Sequence, residues 1–148
     1  MIVSDSSRFV FCFGCNAFGD ATETQTPLLI RWSDQESTST WTPTATNTAG
    51  SQRLTDGNQI NTAVRSRGAI LIYTDTALYQ MQFIGSPFTF GFKQLGSNCG
   101  AVGIHSAIDV SGIAFWMGND SFFQFDGAVK KITSSVQDYV FVVMTDPE

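Results

Sequence analysis

An all-β fold built from β-propeller-like repeats of four-stranded antiparallel blades is predicted by three observations. Apolar residues come in strand-length bursts, turn-forming residues punctuate them, and the pattern returns after 44 residues, from Gly68 to Gly112. The bursts fall at 8–14, 28–32, 59–64, 69–74, 77–84, 88–95, 105–110, 113–118, 121–126, 128–132 and 136–143. They are rich in Phe, Tyr, Ile and Val, which fit a pleated, half-buried surface. No window sustains helical periodicity.

The turns between bursts have chemical causes. Asp56-Gly57 and Asp126-Gly127 are hairpin dipeptides that tolerate positive φ, and Thr74-Asp75-Thr76 and Gly118-Asn119-Asp120 carry short polar side chains that bond their own backbone. Each pair of bursts therefore reads as a hairpin. The one long irregular stretch, 33–50, is Ser/Thr-rich and reads as a surface loop pinned by Trp41 and Pro43.

With Gly68 set on Gly112, Arg67-Gly68-Ala69-Ile70-Leu71-Ile72-Tyr73 aligns with Ser111-Gly112-Ile113-Ala114-Phe115-Trp116-Met117. Leu78, Tyr79 and Gln80 then meet Phe122, Phe123 and Gln124, and a shift of two residues brings Gly85 to Gly127. A period near 40–45 residues with four short strands is that of a propeller blade. A β-sandwich is the alternative, since its strands also recur every 8–12 residues or so.

The predicted organisation is one all-β region: an incomplete blade with a long loop at 1–54, blades at 55–100 and 101–133, and the first strand of a further blade at 134–148. A closed ring needs at least about four blades, so the missing ones are expected from another segment of the gene product or a neighbouring chain. The expected core comprises Ile70, Ile72, Leu78, Ala114, Trp116, Phe122 and Phe125.

Composition narrows the function classes. Of 148 residues 43% are hydrophobic, enough to fill a core, and only 14% are charged. The net charge of −5 and the scatter of the eight Lys and Arg residues give no means of holding phosphates, so no specific nucleic-acid binding is expected. No apolar run approaches the roughly 20 residues of a membrane span, and Met1-Ile2-Val3-Ser4-Asp5 lacks the features of a signal peptide. The expectation is a soluble chain, unprocessed and not inserted in a membrane.

Candidate chemistry is sparse. Cys12 and Cys15 have the spacing of half a zinc site, but on a continuous strand an odd separation sends them to opposite faces, and only Cys99 and His105 remain as further ligands. Three cysteines argue for free thiols rather than a disulfide framework. His105 has no Gly-x-Ser-x-Gly turn to serve. The acids Asp34, Glu36, Asp75, Asp120 and Asp126 sit in turns or loops, where they serve the backbone, and Asp109 stands alone on a strand. No catalytic residue, cofactor or metal is expected, and the chain reads as no enzyme.

Asp34-Gln35-Glu36-Ser37-Thr38-Ser39-Thr40-Trp41 loosely resembles the Asp-box turn of sialidase-like propellers, with Thr38 in place of its Gly. That box is a folding device between strands, so the likeness bears on architecture and not on sialidase activity. A broader resemblance runs through Arg31-Trp32-Ser33-Asp34-Gln35-Glu36, Trp41-Thr42-Pro43-Thr44, Thr46-Asn47-Thr48-Ala49-Gly50, Tyr73-Thr74-Asp75, Leu78-Tyr79-Gln80-Met81-Gln82-Phe83-Ile84-Gly85, Phe90-Gly91-Phe92, Phe115-Trp116-Met117-Gly118, Phe125-Asp126-Gly127 and Asp138-Tyr139-Val140-Phe141. Together these resemble tailed-phage virion structural proteins of the tail nozzle or stabilisation type. The resemblance implies a virion component at the neck or distal tail, made in the host cytoplasm. It implies assembly with other tail or neck proteins into a homo-oligomeric ring that forms part of the conduit for DNA ejection.

A host-receptor or glycan-binding propeller module and a propeller enzyme remain as other function classes. Exposed Trp32, Trp41 and Trp116 around a groove would favour glycan stacking, and burial between sheets would favour structure. The ligand inventory itself generates one expected outcome: elemental analysis of purified protein gives less than stoichiometric zinc, and one zinc per chain would overturn it.

Overall fold

The computed structural model describes residues 2–3, 7–22 and 24–132. Among these residues twelve strands form three four-stranded antiparallel sheets, and strands adjacent in sequence are adjacent in each sheet. Sheet 1 holds β1 (Ile2–Val3), β2 (Val10–Phe13), β3 (Leu29–Trp32) and β4 (Gly50–Arg53). Sheet 2 holds β5 (Ile60–Ser66), β6 (Ala69–Thr74), β7 (Ala77–Gly85) and β8 (Thr89–Ser97), and sheet 3 holds β9 (Ala107–Val110), β10 (Ile113–Met117), β11 (Phe122–Phe125) and β12 (Val129–Ile132).

The 44-residue register has a backbone basis. Arg67-Gly68 and Ser111-Gly112 are the two central residues of equivalent hairpins, and all four have positive φ, of 51°, 76°, 54° and 84°. Positive φ at both central positions is the signature of the type I′ turn, whose twist matches that of the flanking strands. The hairpins close on Ser66 opposite Ala69 and on Val110 opposite Ile113, which preserves the offset. The two turns also touch, because the Ser66 hydroxyl donates to the Gly112 carbonyl at 3.4 Å.

Alternation along the strands sends the apolar residues of sheet 2 into two cores. Ile70, Ile72, Tyr79, Met81 and Phe90 pack against Phe9, Phe11, Ile30 and Trp32 of sheet 1 and the segment before β2. Leu71, Tyr73 and Leu78 pack the other way, against Ala114, Trp116 and Phe123 of sheet 3. All six residues of β6 are therefore buried. Phe90 is the hub of the first core, with ring centroids 4.9 Å from Phe9, 5.1 Å from Phe11 and 5.2 Å from Trp32, each edge to face.

The segments joining sheets are part of these cores. Leu54, just after β4, enters the first core, and Cys99 and Ala101, just after β8, enter the second. Cys99 N–H donates to the Thr76 carbonyl and Ala101 N–H to the Thr74 carbonyl, both at 3.1 Å. Between them Gly100 lies so close to the backbone of Asp75 and Thr76 that a Cβ would fall 2.3 Å from the Asp75 carbonyl carbon. Only glycine allows this approach.

Several expectations are corrected. Asp56-Gly57 turns the chain from sheet 1 to sheet 2 instead of closing a hairpin. The stretch 33–50 delivers β4, a polar strand (Gly-Ser-Gln-Arg) with no apolar burst to announce it, and Ile2–Val3 pairs with β2, so the first sheet is four-stranded. Ile70, Ile72, Leu78, Ala114 and Trp116 are buried as expected, but Phe122 and Phe125 are only partly so, and Phe123 is the buried residue of β11. In the 44-residue register Phe122 matches Leu78, which sheet 3 covers, whereas Phe122 itself points to the far side of sheet 3. The expected strand at 136–143, and with it the region 134–148, lies outside the described residues.

Truncation tests this assignment of faces. Phe123→Ala is expected to cost about 3–5 kcal/mol, the range for a buried Phe, and Phe122→Ala clearly less. Denaturant unfolding of both variants measures it, and a larger loss at Phe122 would show the faces of β11 to be reversed.

Candidate interaction surfaces

The two strand faces at the ends of the stack differ. The outer face of sheet 1 presents Val10, Cys12 and Arg31, and two loops fold over it. The Arg31 guanidinium donates to the carbonyls of Asn16 and Trp41, both at 3.4 Å, and stands 5.9 Å from the centroid of the Phe18 ring. Between the loops and the sheet lies a cavity of about 420 Å³, lined by Val10, Cys12, Cys15, Asn16, Arg31, Thr38 and Trp41.

Cys12 and Cys15 line that cavity together, contrary to the expected opposite faces. The reason is Gly14, whose φ of 65° ends the strand after Phe13 and folds the next residue back. Burial, then the neighbouring Cys12, push the Cys15 thiol up to about 11, so it stays protonated and weakly nucleophilic at neutral pH. Cys99 is buried in the second core, and His105 is exposed in the turn before β9 rather than on the strand. Among the described residues no group of three or more His, Cys, Asp or Glu side chains converges on a metal position.

Asp34 and Asp75 serve the backbone as expected, whereas Glu36 pairs with Arg8 and Asp126 with Lys130. Asp34 accepts from the Thr48 amide at 2.9 Å and the Thr48 hydroxyl at 2.7 Å, and these bonds hold its carboxyl below the ordinary aspartate value. Asp34 N–H donates to the Thr40 carbonyl and Trp41 Nε1–H to the Thr38 carbonyl, which closes the turn that resembles an Asp box. Asp109 alone faces a core: one carboxylate oxygen accepts from the Gly112 amide at 3.2 Å, and its charge adds to the burial that raises the Tyr73 phenol.

The tryptophans separate the function classes. Trp32 and Trp116 are 6% and 3% exposed within the two cores, and their indole N–H groups donate to the Thr48 and Cys99 carbonyls, each at 2.8 Å. Trp41 borders the open cavity on sheet 1, and Trp116 reaches only the margin of the groove on sheet 3.

The outer face of sheet 3 is largely apolar around one groove. A groove of about 430 Å³ runs across it, walled by Ile108, Phe115, Met117, Phe122 and Ile132, with Ser106, Trp116 and Phe123 at its margins. Ile108 is 60% exposed, and Val110 beside it is also exposed. The expectations from sequence did not single out this surface. Its signal was the alternation of Phe115 and Met117 with Ala114 and Trp116 on one strand, which requires cover on both sides. In comparisons with known proteins, the chain matches no protein family and no curated protein.

Asp75 generates a pH-dependent outcome. Desolvation pushes its carboxyl up, but bonds from Asn58 N (2.7 Å) and Asn58 Nδ2 (2.8 Å) outweigh this and leave it below the ordinary value. A depressed folded pKa adds stability above the unfolded value of 3.8, which is lost as pH falls through the folded one. Asp75→Asn should therefore melt below wild type at neutral pH, and the gap should close as the pH falls below the unfolded value of 3.8 and through the depressed folded one. Thermal melts across that range measure it, and a constant gap would contradict the assignment.

Proposed function

We propose that the chain is a structural module of a tailed-phage virion, a run of blades in a propeller of the tail nozzle or stabilisation type. The observation that carries this reading is the burial of Trp32 and Trp116 between sheets, where their rings hold the stack together rather than meeting a ligand. Three four-stranded meanders stacked in chain order, with turns repeating at 44 residues, agree with consecutive propeller blades. The acids and the histidine are dispersed, and Asp34 and Asp75 are committed to backbone amides, which accords with a scaffold rather than an enzyme. The negative net charge suits a conduit wall that must release DNA.

In this reading the module contributes part of a homo-oligomeric ring at the neck or distal tail and contacts other tail proteins. The second reading, a host-receptor or glycan-binding module, has Trp41 in its favour, because it borders a cavity with Arg31 beside it. Quantitative peptide mass spectrometry of purified particles of the encoding phage tests the first. Several copies of the chain per particle are expected, and its absence from particles would overturn the reading. A glycan array then addresses the second, since binding abolished by Trp41→Ala would replace scaffold with receptor recognition.

A further inference from the structure

Cys12 and Cys15 are nucleophilic side chains that the fold brings together, and neither hydrophobic core uses them. Both are half-buried thiols on the wall of the cavity over sheet 1, within reach of small solutes, whereas Cys99 is sealed in the second core. The Cys15 Sγ–H donates to the Cys12 carbonyl at 3.7 Å, and the two thiols lie within hydrogen-bonding range of each other.

The backbone fixes this approach rather than leaving it to side-chain rotation. Gly14 turns at a φ of 65°, its N–H donates to the Leu29 carbonyl at 2.8 Å, and its carbonyl accepts from Gln25 Nε2 at 2.8 Å. The Cys15 carbonyl accepts from the Thr26 N–H at 3.1 Å, and Asn16 then pairs with Gln25. Cys12 is held opposite Arg31 in the ladder between β2 and β3. Both cysteines are thus anchored through the main chain to the same segment, 25–31, and folding holds their thiols together at a high effective concentration.

We propose that Cys12 and Cys15 form a reversible disulfide site, oxidised by a small-molecule disulfide of the glutathione class. One cysteine thiolate attacks the small disulfide, which gives a mixed disulfide and releases one small thiol. The other cysteine gives up its proton, attacks the protein sulfur of the mixed disulfide and releases the second small thiol. The two cysteines together lose two protons and two electrons, and the small disulfide takes up both to become two thiols. The pair is therefore reduced in a reducing cell and bonded in an oxidising medium. Closure ties the end of β2 to the loop whose Asn16 carbonyl accepts from Arg31, and it removes two thiol donors from the cavity wall. This chemistry is independent of the virion reading, which stands whether or not the bond forms.

The test reads an equilibrium rather than a rate, because a Cys15 thiol pushed up to about 11 exchanges slowly at neutral pH. The full chain is equilibrated in mixtures of reduced and oxidised glutathione, once folded and once in denaturing urea, then alkylated and cut with trypsin. Cleavage after Arg8, Arg31, Lys93 and Lys130 leaves Cys12 and Cys15 in peptide 9–31 and Cys99 in peptide 94–130. Peptide 9–31 is expected to escape alkylation and weigh two hydrogens less, with a disulfide equilibrium constant about tenfold or more higher in the folded chain than in urea. Cys99, 3% exposed, is expected to remain a thiol throughout in the folded chain. A constant equal to or below that in urea would overturn the proposal. Stable glutathione adducts on Cys12 or Cys15 in place of the bond, or a cross-link from peptide 9–31 to peptide 94–130, would overturn it as well.

Discussion

The second strand of sheet 2, β6, has no face that meets water. Every residue of β6 is buried, and its side chains alternate between two separate cores, so the strand exists as a folded element only while another sheet lies on each side. Burying a large apolar side chain contributes about 1.5–3 kcal/mol, and the two cores bury Ile70, Ile72, Leu71 and Leu78 from this sheet alone. The stacking of three sheets is thus what holds the hairpins together, since an isolated hairpin is marginal in water.

That constraint explains where polar chemistry went. Indole N–H groups, Asp34, Asp75 and the Tyr79 hydroxyl are spent on backbone amides and carbonyls in the connections between strands, within sheet 1 for Trp32 and Asp34 and between sheets for Trp116, Asp75 and Tyr79. The loops over sheet 1 satisfy Arg31 and give that face a partly polar cover, while sheet 3 presents an apolar groove. Among the described residues the two ends of the stack therefore differ, one covered by loops and the other carrying the apolar groove.

Strand positions were legible because period-two alternation and turn dipeptides act locally. The bursts at 69–74 and 113–118 coincide with β6 and β10 to within a residue, and Gly68 and Gly112 occupy turns that demand positive φ. β4 was not legible, because Gly-Ser-Gln-Arg lies exposed at a sheet edge and needs no apolar signal. Cys12 and Cys15 were misassigned because the rule of alternation holds only while the strand continues, and Gly14 ends it.

The sequence by itself determined that the chain forms strands, where most of them lie, and that two units repeat at a 44-residue offset, since these depend on neighbours within a few residues and on turn stereochemistry. Only the tertiary structure decided which face of each sheet is covered. Phe122 and Phe123 are identical in hydrophobicity and adjacent in the chain, and alternation guarantees only that they point apart. The presence of sheet 2 on one side of β11 makes Phe123 core and leaves Phe122 on the groove, a distinction set by a sheet more than 24 residues away in sequence.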